Sequence, residues 1–245
     1  MKRFYSFLTS LCVLTLITAS CSMRMQSDLK LLEVYDLEIK EPSGISISSD
    51  QNTLFIVSDN DGGIYETTLS GEVLSRIMLD VIDLEGVTFD KKENLFWIIS
   101  ENKRKLYAVN LEGEIVEKHK ISGKQKHKNS GLEGICYNPN DDYLYMVNEA
   151  SPKQLLQVSK KGEVENTMKL PFTKDVSGIF CDDDNSFWIV SDESEALIHL
   201  SHDGTLLKEY ELPIHQAEGV VISNDRKVYI VSDAENRLYE FQLKE

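Results

Sequence analysis

The stretch EGVTFDKKENLFWIISEN, residues 85–102, contains the pattern that decides the fold. A glutamate–glycine pair opens a short alternating run, a polar turn follows, and a more apolar run ends in a serine–glutamate pair. Short alternating runs bounded by glycine, asparagine and aspartate are typical of β-strands joined by hairpins. The stretch therefore predicts two antiparallel strands with acidic residues at one end of the pair.

Four further segments repeat this pattern. They read SGISISSDQNTLFIVSDN from residue 43, EGICYNPNDDYLYMVNEA from 133, SGIFCDDDNSFWIVSDES from 177 and EGVVISNDRKVYIVSDAE from 218. The anchoring glycines are Gly44, Gly86, Gly134, Gly178 and Gly219, at spacings of 42, 48, 44 and 41 residues. Such a period corresponds to one four-stranded propeller blade. The sequence therefore predicts an all-β fold, a five-bladed β-propeller with four-stranded blades.

The two ends of the chain predict how the ring closes. The fifth repeat has a third strand pattern that stops at Leu243, and no fourth strand follows. Residues 31–39, LLEVYDLEI, resemble a fourth strand such as LLKEYELP from residue 206. We therefore expect the N-terminal strand to complete the last blade, which leaves few sheet edges open.

The first residues resemble a secretory leader. Lys2 and Arg3 precede an uncharged apolar run, residues 7–17, that is too short to span a membrane. The small residues TAS then come directly before Cys21, as in a bacterial lipobox. We expect a signal peptide at 1–20, a linker at 21–29 after a lipidated Cys21, and one propeller domain at 30–245, held at the cell envelope on the outer membrane or the periplasmic face. The alternative is an ordinary signal peptide with an incidental cysteine.

Charge and cysteine content restrict the partners and the chemistry. The formal net charge of −15 becomes −17 once Lys2 and Arg3 are removed, which disfavours nucleic acid as a partner. Cys136 lies two residues after its blade's glycine, whereas Cys181 lies three after its own, so their side chains leave opposite faces of equivalent strands. We therefore expect no disulfide between them, and interpret both as small buried hydrophobes.

Propeller topology brings the acidic ends of the repeats to one mouth of the central channel. The first strand of each blade starts at this mouth and the second strand ends there. Eight carboxylates are expected around the opening: Glu85, Glu133, Glu218, Asp59, Glu101, Glu149, Asp192 and Asp233. Carboxylates this close repel one another unless something compensates their charge.

Two interpretations of this ring are compatible. In the first, the glycines permit close approach at the axis and the neighbouring serines and acids hydrogen-bond between blades, as repeat proteins often arrange. In the second, some of the oxygens bind calcium, which takes six to eight oxygen ligands in loose geometry. Zinc is disfavoured because no histidine or cysteine pair has suitable spacing.

The longest spacing between repeats contains a basic insertion, SGKQKHKNS, residues 122–130. Its cationic side chains, Lys124, Lys126, His127 and Lys128, are expected near the acidic mouth. They form either a solvated surface loop or a cationic rim that holds an anionic small molecule above bound calcium.

A lipobox followed by five in-phase (S/E)-G-(I/V) and (S/N)-(D/E) units resembles the SdiA-regulated (YjiK/CarP-like) family of exported β-propeller proteins. The resemblance extends from about Leu31 to Leu243. It implies a calcium-linked exported propeller, sometimes described as phytase-like on the basis of fold, and brings no catalytic residues that can be carried over. Ser43 and Ser177 replace the glutamate in blades one and four, which weakens five-fold equivalent metal binding.

Three functions follow from these observations. The preferred one is a lipid-anchored propeller that binds calcium and a ligand or protein partner at the acidic mouth. The alternatives are a calcium-dependent hydrolase of phosphate esters or lactones, and a purely structural envelope protein. No nucleophile–histidine–acid arrangement can be read from the sequence, and propellers support many unrelated activities.

Overall fold

The computed structural model describes residues 28–101, 104–122, 131–149 and 152–244. These residues form twenty β-strands and no helix, so none of them belongs to a helix that could cross a membrane. The first strand, β1 (Leu29–Asp36), stands apart in sequence from its blade. The other strands are β2 (Pro42–Ile47), β3 (Thr53–Ser58), β4 (Gly63–Thr68), β5 (Val73–Met78), β6 (Leu84–Asp90), β7 (Leu95–Ser100), β8 (Lys105–Val109), β9 (Ile115–Lys120), β10 (Leu132–Asn138), β11 (Tyr143–Asn148), β12 (Gln154–Val158), β13 (Val164–Lys169), β14 (Gly178–Cys181), β15 (Phe187–Ser191), β16 (Ala196–Leu200), β17 (Leu206–Glu211), β18 (Ala217–Ile222), β19 (Lys227–Ser232) and β20 (Arg237–Leu243).

The strands form five antiparallel four-stranded sheets, which confirms the five-bladed β-propeller. Blades one to four are β2–β5, β6–β9, β10–β13 and β14–β17, each in sequence order. The fifth sheet has the order β1-β20-β19-β18, so the N-terminal strand closes the ring as predicted. Leu29 pairs with Leu243 and Asp36 with Arg237, which fixes the register of the closing strand.

Neighbouring blades pack face to face, and the core lies between them. One cluster, for example, joins Tyr145 and Val147 of blade three to Ile179 and Phe187 of blade four. The apolar second strands are almost fully buried because they have a neighbouring blade on both faces. The core is therefore a ring of five interfaces around the channel.

The glycine of each first strand lets the blades meet closely at the axis. A methyl group placed on Gly134 would lie 2.9 Å from the Cα of Gly178, and one on Gly178 would lie 2.9 Å from the Cα of Gly219. The backbones themselves would have to move to admit any larger residue there. The architectural role predicted for these glycines is thus explained by direct backbone contact.

A disulfide joins Cys136 and Cys181, so the prediction that they remain unbonded was wrong. The two side chains do leave opposite faces of equivalent strands, but the conclusion drawn from this was inverted. Blades in a ring are stacked, and therefore one face of blade three is turned towards the opposite face of blade four. Residues on opposite faces of adjacent first strands meet at the shared interface, where the Cα atoms of the two cysteines are 5.7 Å apart.

Candidate functional site: an acidic cup at one mouth of the channel

The acidic ends of the blades surround a cavity of about 430 Å³, which we call the acidic cup. Ten carboxylate residues and two neutral polar residues line it: Asp59, Asp83, Glu85, Glu101, Glu133, Glu149, Asp175, Asp192, Glu193, Glu218, Ser177 and Gln216. Below the cup the five first-strand glycines surround a constriction of the channel. The free volume there is about 10 Å³, which is space for about one water molecule. The channel is therefore strongly constricted below the cup.

Seven of the eight carboxylates predicted from the sequence line the cup. The exception is Asp233, which lies close enough to raise the pKa of Glu218 and of Asp59 by charge repulsion but does not face the cavity. The basic side chains Lys124, Lys126, His127 and Lys128 lie outside the described residues, and so does Cys21.

Local strand geometry aims the glutamates into the cup. In blades two, three and five the register shifts by one residue immediately before the glycine, so Glu85, Glu133 and Glu218 have no partner across the ladder. Blade one has the same irregularity at Ser43. A bulge of this kind bends the strand and redirects the extra side chain, which here points towards the axis.

The serine and acid of each second-strand pair have different roles. The hydroxyls of Ser58 and Ser232 donate to the carbonyl oxygens of Lys40 (2.7 Å) and His215 (2.6 Å) in the connections between blades. Ser100 makes the equivalent, longer bond of 3.3 Å. These serines are fully buried and structural, whereas the acid that follows lies at the cup. The predicted hydrogen bonding between blades therefore holds for these serines, and the acids are the residues left at the cup.

Some of the cup carboxylates are held by backbone amides of the next connection. Gly131 donates to Oε1 of Glu101 (2.8 Å), and Gln216 donates to Oδ1 of Asp192 (2.6 Å). Asp175 accepts from the Ser191 hydroxyl. Two of these three acids, Asp175 and Asp192, belong to the blade-four side, so this part of the cup is tied into the fold.

Two groups of three carboxylates come together on the other side. Oxygens of Asp59, Asp83 and Glu85 lie within 4.8 Å of one another, and so do oxygens of Glu101, Glu133 and Glu149. We call these the first and second triads. Each combines residues of two adjacent blades, so an ion held by either triad would bridge a blade interface.

Burial and mutual repulsion raise the pKa values of several cup glutamates. Burial, followed by repulsion from Asp59, raises the pKa of Glu85 to about 9. Burial and neighbouring acids also raise the pKa of Glu218 to about 8 and that of Glu149 to about 7. The pKa of Glu133 rises well above its usual value for the same reasons, burial being the largest. Part of the ring is therefore protonated near neutral pH unless a cation is bound.

Three carboxylates of the cup were not predicted from the sequence: Asp83, Asp175 and Glu193. Asp83 and Asp175 both lie two residues before the first-strand glutamate or serine, at the position of Gln216 in blade five. Extending the aligned repeat two residues towards its N-terminus would have found them. Glu193 follows Asp192 and is acidic in blade four only, so no repeat signal marks it.

The model of the SdiA-regulated family matches residues 22–242. The chain belongs to this family. The SdiA-regulated match covers all five blades and confirms the resemblance drawn from the repeat motifs.

Solved structures similar to this SdiA-regulated chain share its fold. A streptogramin B lyase has 16% identity and a TM-score of 0.53, with 83% of this chain and 65% of that chain covered. A virginiamycin B lyase from Staphylococcus aureus has 18% identity and a TM-score of 0.52, covering 87% and 74%. A gluconolactonase from Xanthomonas campestris has 11% identity and a TM-score of 0.55, covering 90% and 96%. The chain spans about two thirds of the length of the first of these. At such identities the likeness shows a common propeller fold.

Proposed function

We propose that this chain is an exported, lipid-anchored propeller that binds calcium in the acidic cup and uses the loaded cup to hold a ligand or protein partner. The observation that carries the proposal is the meeting of carboxylate oxygens in the two triads, each within 4.8 Å.

Calcium suits the triads because it is a hard cation that accepts many oxygen ligands without strict geometry. Each triad offers three carboxylates, and water molecules can supply the remaining ligands. A bound ion would also replace the protons that Glu85, Glu133 and Glu149 retain in its absence. Binding is therefore coupled to proton release, and the repulsion among the carboxylates is relieved.

The cup has space for more than an ion. Its volume of about 430 Å³ falls within the range of small-molecule sites. The constriction below the cup admits nothing much larger than a water molecule. A ligand or a protruding side chain of a partner would therefore reach the ions from the solvent above the mouth.

The Cys136–Cys181 disulfide supports export. Disulfides persist in oxidising compartments and are rare in reducing ones, so this bond agrees with the leader pattern of residues 1–20. Neither observation depends on the other.

The start of β1 suggests how an anchored molecule would be oriented. Leu29 lies at the end of blade five opposite the cup, since its partner Leu243 is at the far end of β20 from the turn that carries Asp233. The eight residues from Cys21 to Asp28 are joined by seven Cα–Cα steps, which can span at most about 25 Å. A lipid on Cys21 would thus hold the opposite face near the membrane and leave the cup open.

Thermal unfolding in the presence of calcium tests the proposal. A ligand that binds only the folded state stabilises it by mass action, by about 2.7 kcal/mol at a hundred times the Kd. We expect calcium to raise the Tm and magnesium at the same concentration to raise it less, because magnesium demands a regular octahedral site. A Tm that is the same in calcium and in chelator would contradict calcium binding.

A further inference from the structure

We propose that Ser177 and Gln216 form a neutral hydrogen-bonding subsite in the acidic cup, and that the ligand they recognise is an uncharged polyhydroxy compound of monosaccharide size. This inference rests on the proposed function and specifies the ligand class of the same site.

Ser177 is a buried residue of the cup whose hydroxyl is free to bind a ligand. It occupies the position of Glu85, Glu133 and Glu218 in its own blade, it lines the cup, and only 5% of its surface is exposed. Within the described part of the chain its hydroxyl makes no hydrogen bond to another protein group. Its oxygen is not among the fully buried, unpaired side-chain atoms of the described residues, so it keeps access to the cup and is available to a partner that enters.

Ser43 provides the contrast. It occupies the same position in blade one and is equally buried, at 6% exposure. Its hydroxyl, however, donates to the carbonyl oxygen of Leu84 in blade two and does not line the cup. Serine at this position therefore has a structural role in one blade, whereas in blade four the hydroxyl is left available.

The backbone on both sides of the subsite is fixed. The N–H of Ser177 donates to the carbonyl oxygen of Val190 (3.0 Å), and the adjacent glycine is pressed against blade five. Gln216 has a φ of 47°, its N–H donates to Asp192, and its carbonyl accepts from the N–H of Asp233 (3.2 Å). Gln216 thus lines the cup from a connection whose backbone is held on both sides, as a preorganised site requires.

The chemistry of the lining selects the ligand class. An ionised carboxylate can only accept hydrogen bonds, whereas a hydroxyl and a carboxamide can both donate and accept them. A ligand hydroxyl can accept from Ser177 or Gln216 and donate to a cup carboxylate, and neighbouring ligand hydroxyls can add neutral oxygens to a calcium ion. An anion would be repelled by the remaining carboxylates, and an ammonium group would be satisfied by carboxylates alone, without these two neutral side chains.

The test compares D-galactose with its anionic relative D-galacturonate, by saturation-transfer NMR and titration in millimolar calcium. We expect galactose to bind and to bind more tightly than galacturonate. Ser177→Ala should lower the affinity for galactose at least about fivefold, which corresponds to one net hydrogen bond. The same variant should keep a calcium affinity within about twofold of wild type. Gln216→Asn, which tolerates the positive φ but retracts the amide, should also weaken galactose binding.

Ser43→Ala is the matched control, because it removes a structural bond and should lower the Tm without changing the affinity for galactose. Normal calcium binding without galactose binding would overturn the subsite and leave the proposed function standing. Equal galactose affinity in wild type and Ser177→Ala, or tighter binding of galacturonate, would overturn it as well. A protein that binds no calcium would refute the proposed function first, and the subsite with it.

Discussion

Cys136 on β10 and Cys181 on β14 are joined by a disulfide across the interface between blades three and four. Both residues are buried, in a cluster that includes Tyr145 and Phe187. The bond links the innermost strands of two blades, so it holds together the part of the ring that surrounds the channel.

Removing this bond should destabilise the protein substantially. The two cysteines are 45 residues apart, and the chain-entropy model gives about 4 kcal/mol for a closed loop of this length. The double variant Cys136→Ala/Cys181→Ala should unfold at correspondingly lower urea concentration. Reductant should destabilise wild type towards the variant and leave the variant unaffected. Equal unfolding midpoints for oxidised wild type and the variant would contradict the structure.

The closing strand, β1, should stabilise the folded protein through the side chains on its buried face. Leu29 is 5% exposed and packs in the blade-five core, whereas Leu31 on the same strand is 48% exposed. Leu29→Ala should lower the free energy of unfolding by about 2–5 kcal/mol, and Leu31→Ala by about 0.5 kcal/mol or less. Urea unfolding of both variants measures this difference. Similar effects at the two positions would mean that β1 does not close the ring in this register.

Stability without calcium should fall as the pH rises. The pKa of Glu85 is raised to about 9 in the folded protein, from an ordinary value near 4.5. The folded state therefore binds more protons than the unfolded state between these values, and stability decreases with pH across this window. Glu218 and Glu149, with pKa values of about 8 and 7, act in the same direction.

Melting curves from pH 5 to 9 in chelator would measure this effect. Glu85→Gln should flatten the decline, because glutamine stays neutral throughout, and calcium should oppose the decline in wild type. If the chelated wild-type protein became more stable between pH 5 and 9, the ring would not be charge-strained.

The anchor can be tested through Cys21, which the sequence places directly after TAS. Wild type should partition with membranes, and Cys21→Ser should move to the soluble fraction because a lipid can no longer be attached. Cys12→Ser, in the apolar leader, is the matched control and should leave partitioning unchanged. Membrane association retained by Cys21→Ser would remove the lipoprotein hypothesis.

The blade count and the convergence of the acids could be predicted because both depend on periodicity. Five glycines at regular spacing determine how many blades form, and strand alternation within each blade determines which ends meet. The same argument brings Glu85 and Asp59 together without knowledge of any side-chain contact, and the structure places both in one triad.

Other features depend on contacts that a repeat pattern does not encode. The disulfide depends on how neighbouring blades stack, because residues on opposite faces of adjacent first strands meet at the shared interface. Ser43 and Ser177 look equivalent in sequence, yet the Ser43 hydroxyl donates to the carbonyl oxygen of Leu84, whereas the Ser177 hydroxyl makes no corresponding bond. Hydrogen-bond partners of this kind follow from small differences in backbone position, which only the three-dimensional structure reveals.

The central claim is that the acidic cup binds calcium, and calorimetric titration of the calcium-free protein tests it most directly. The variant Glu85→Gln/Glu133→Gln removes one carboxylate from each triad. Its control, Glu112→Gln/Glu163→Gln, makes the same two replacements in exposed hairpin turns at the opposite end. We expect wild type and the control to bind calcium with a Kd of about 10⁻³ M or tighter, and the cup variant to bind at least about tenfold more weakly. No heat of binding in wild type up to millimolar calcium, or an unchanged affinity in the cup variant, would contradict the account.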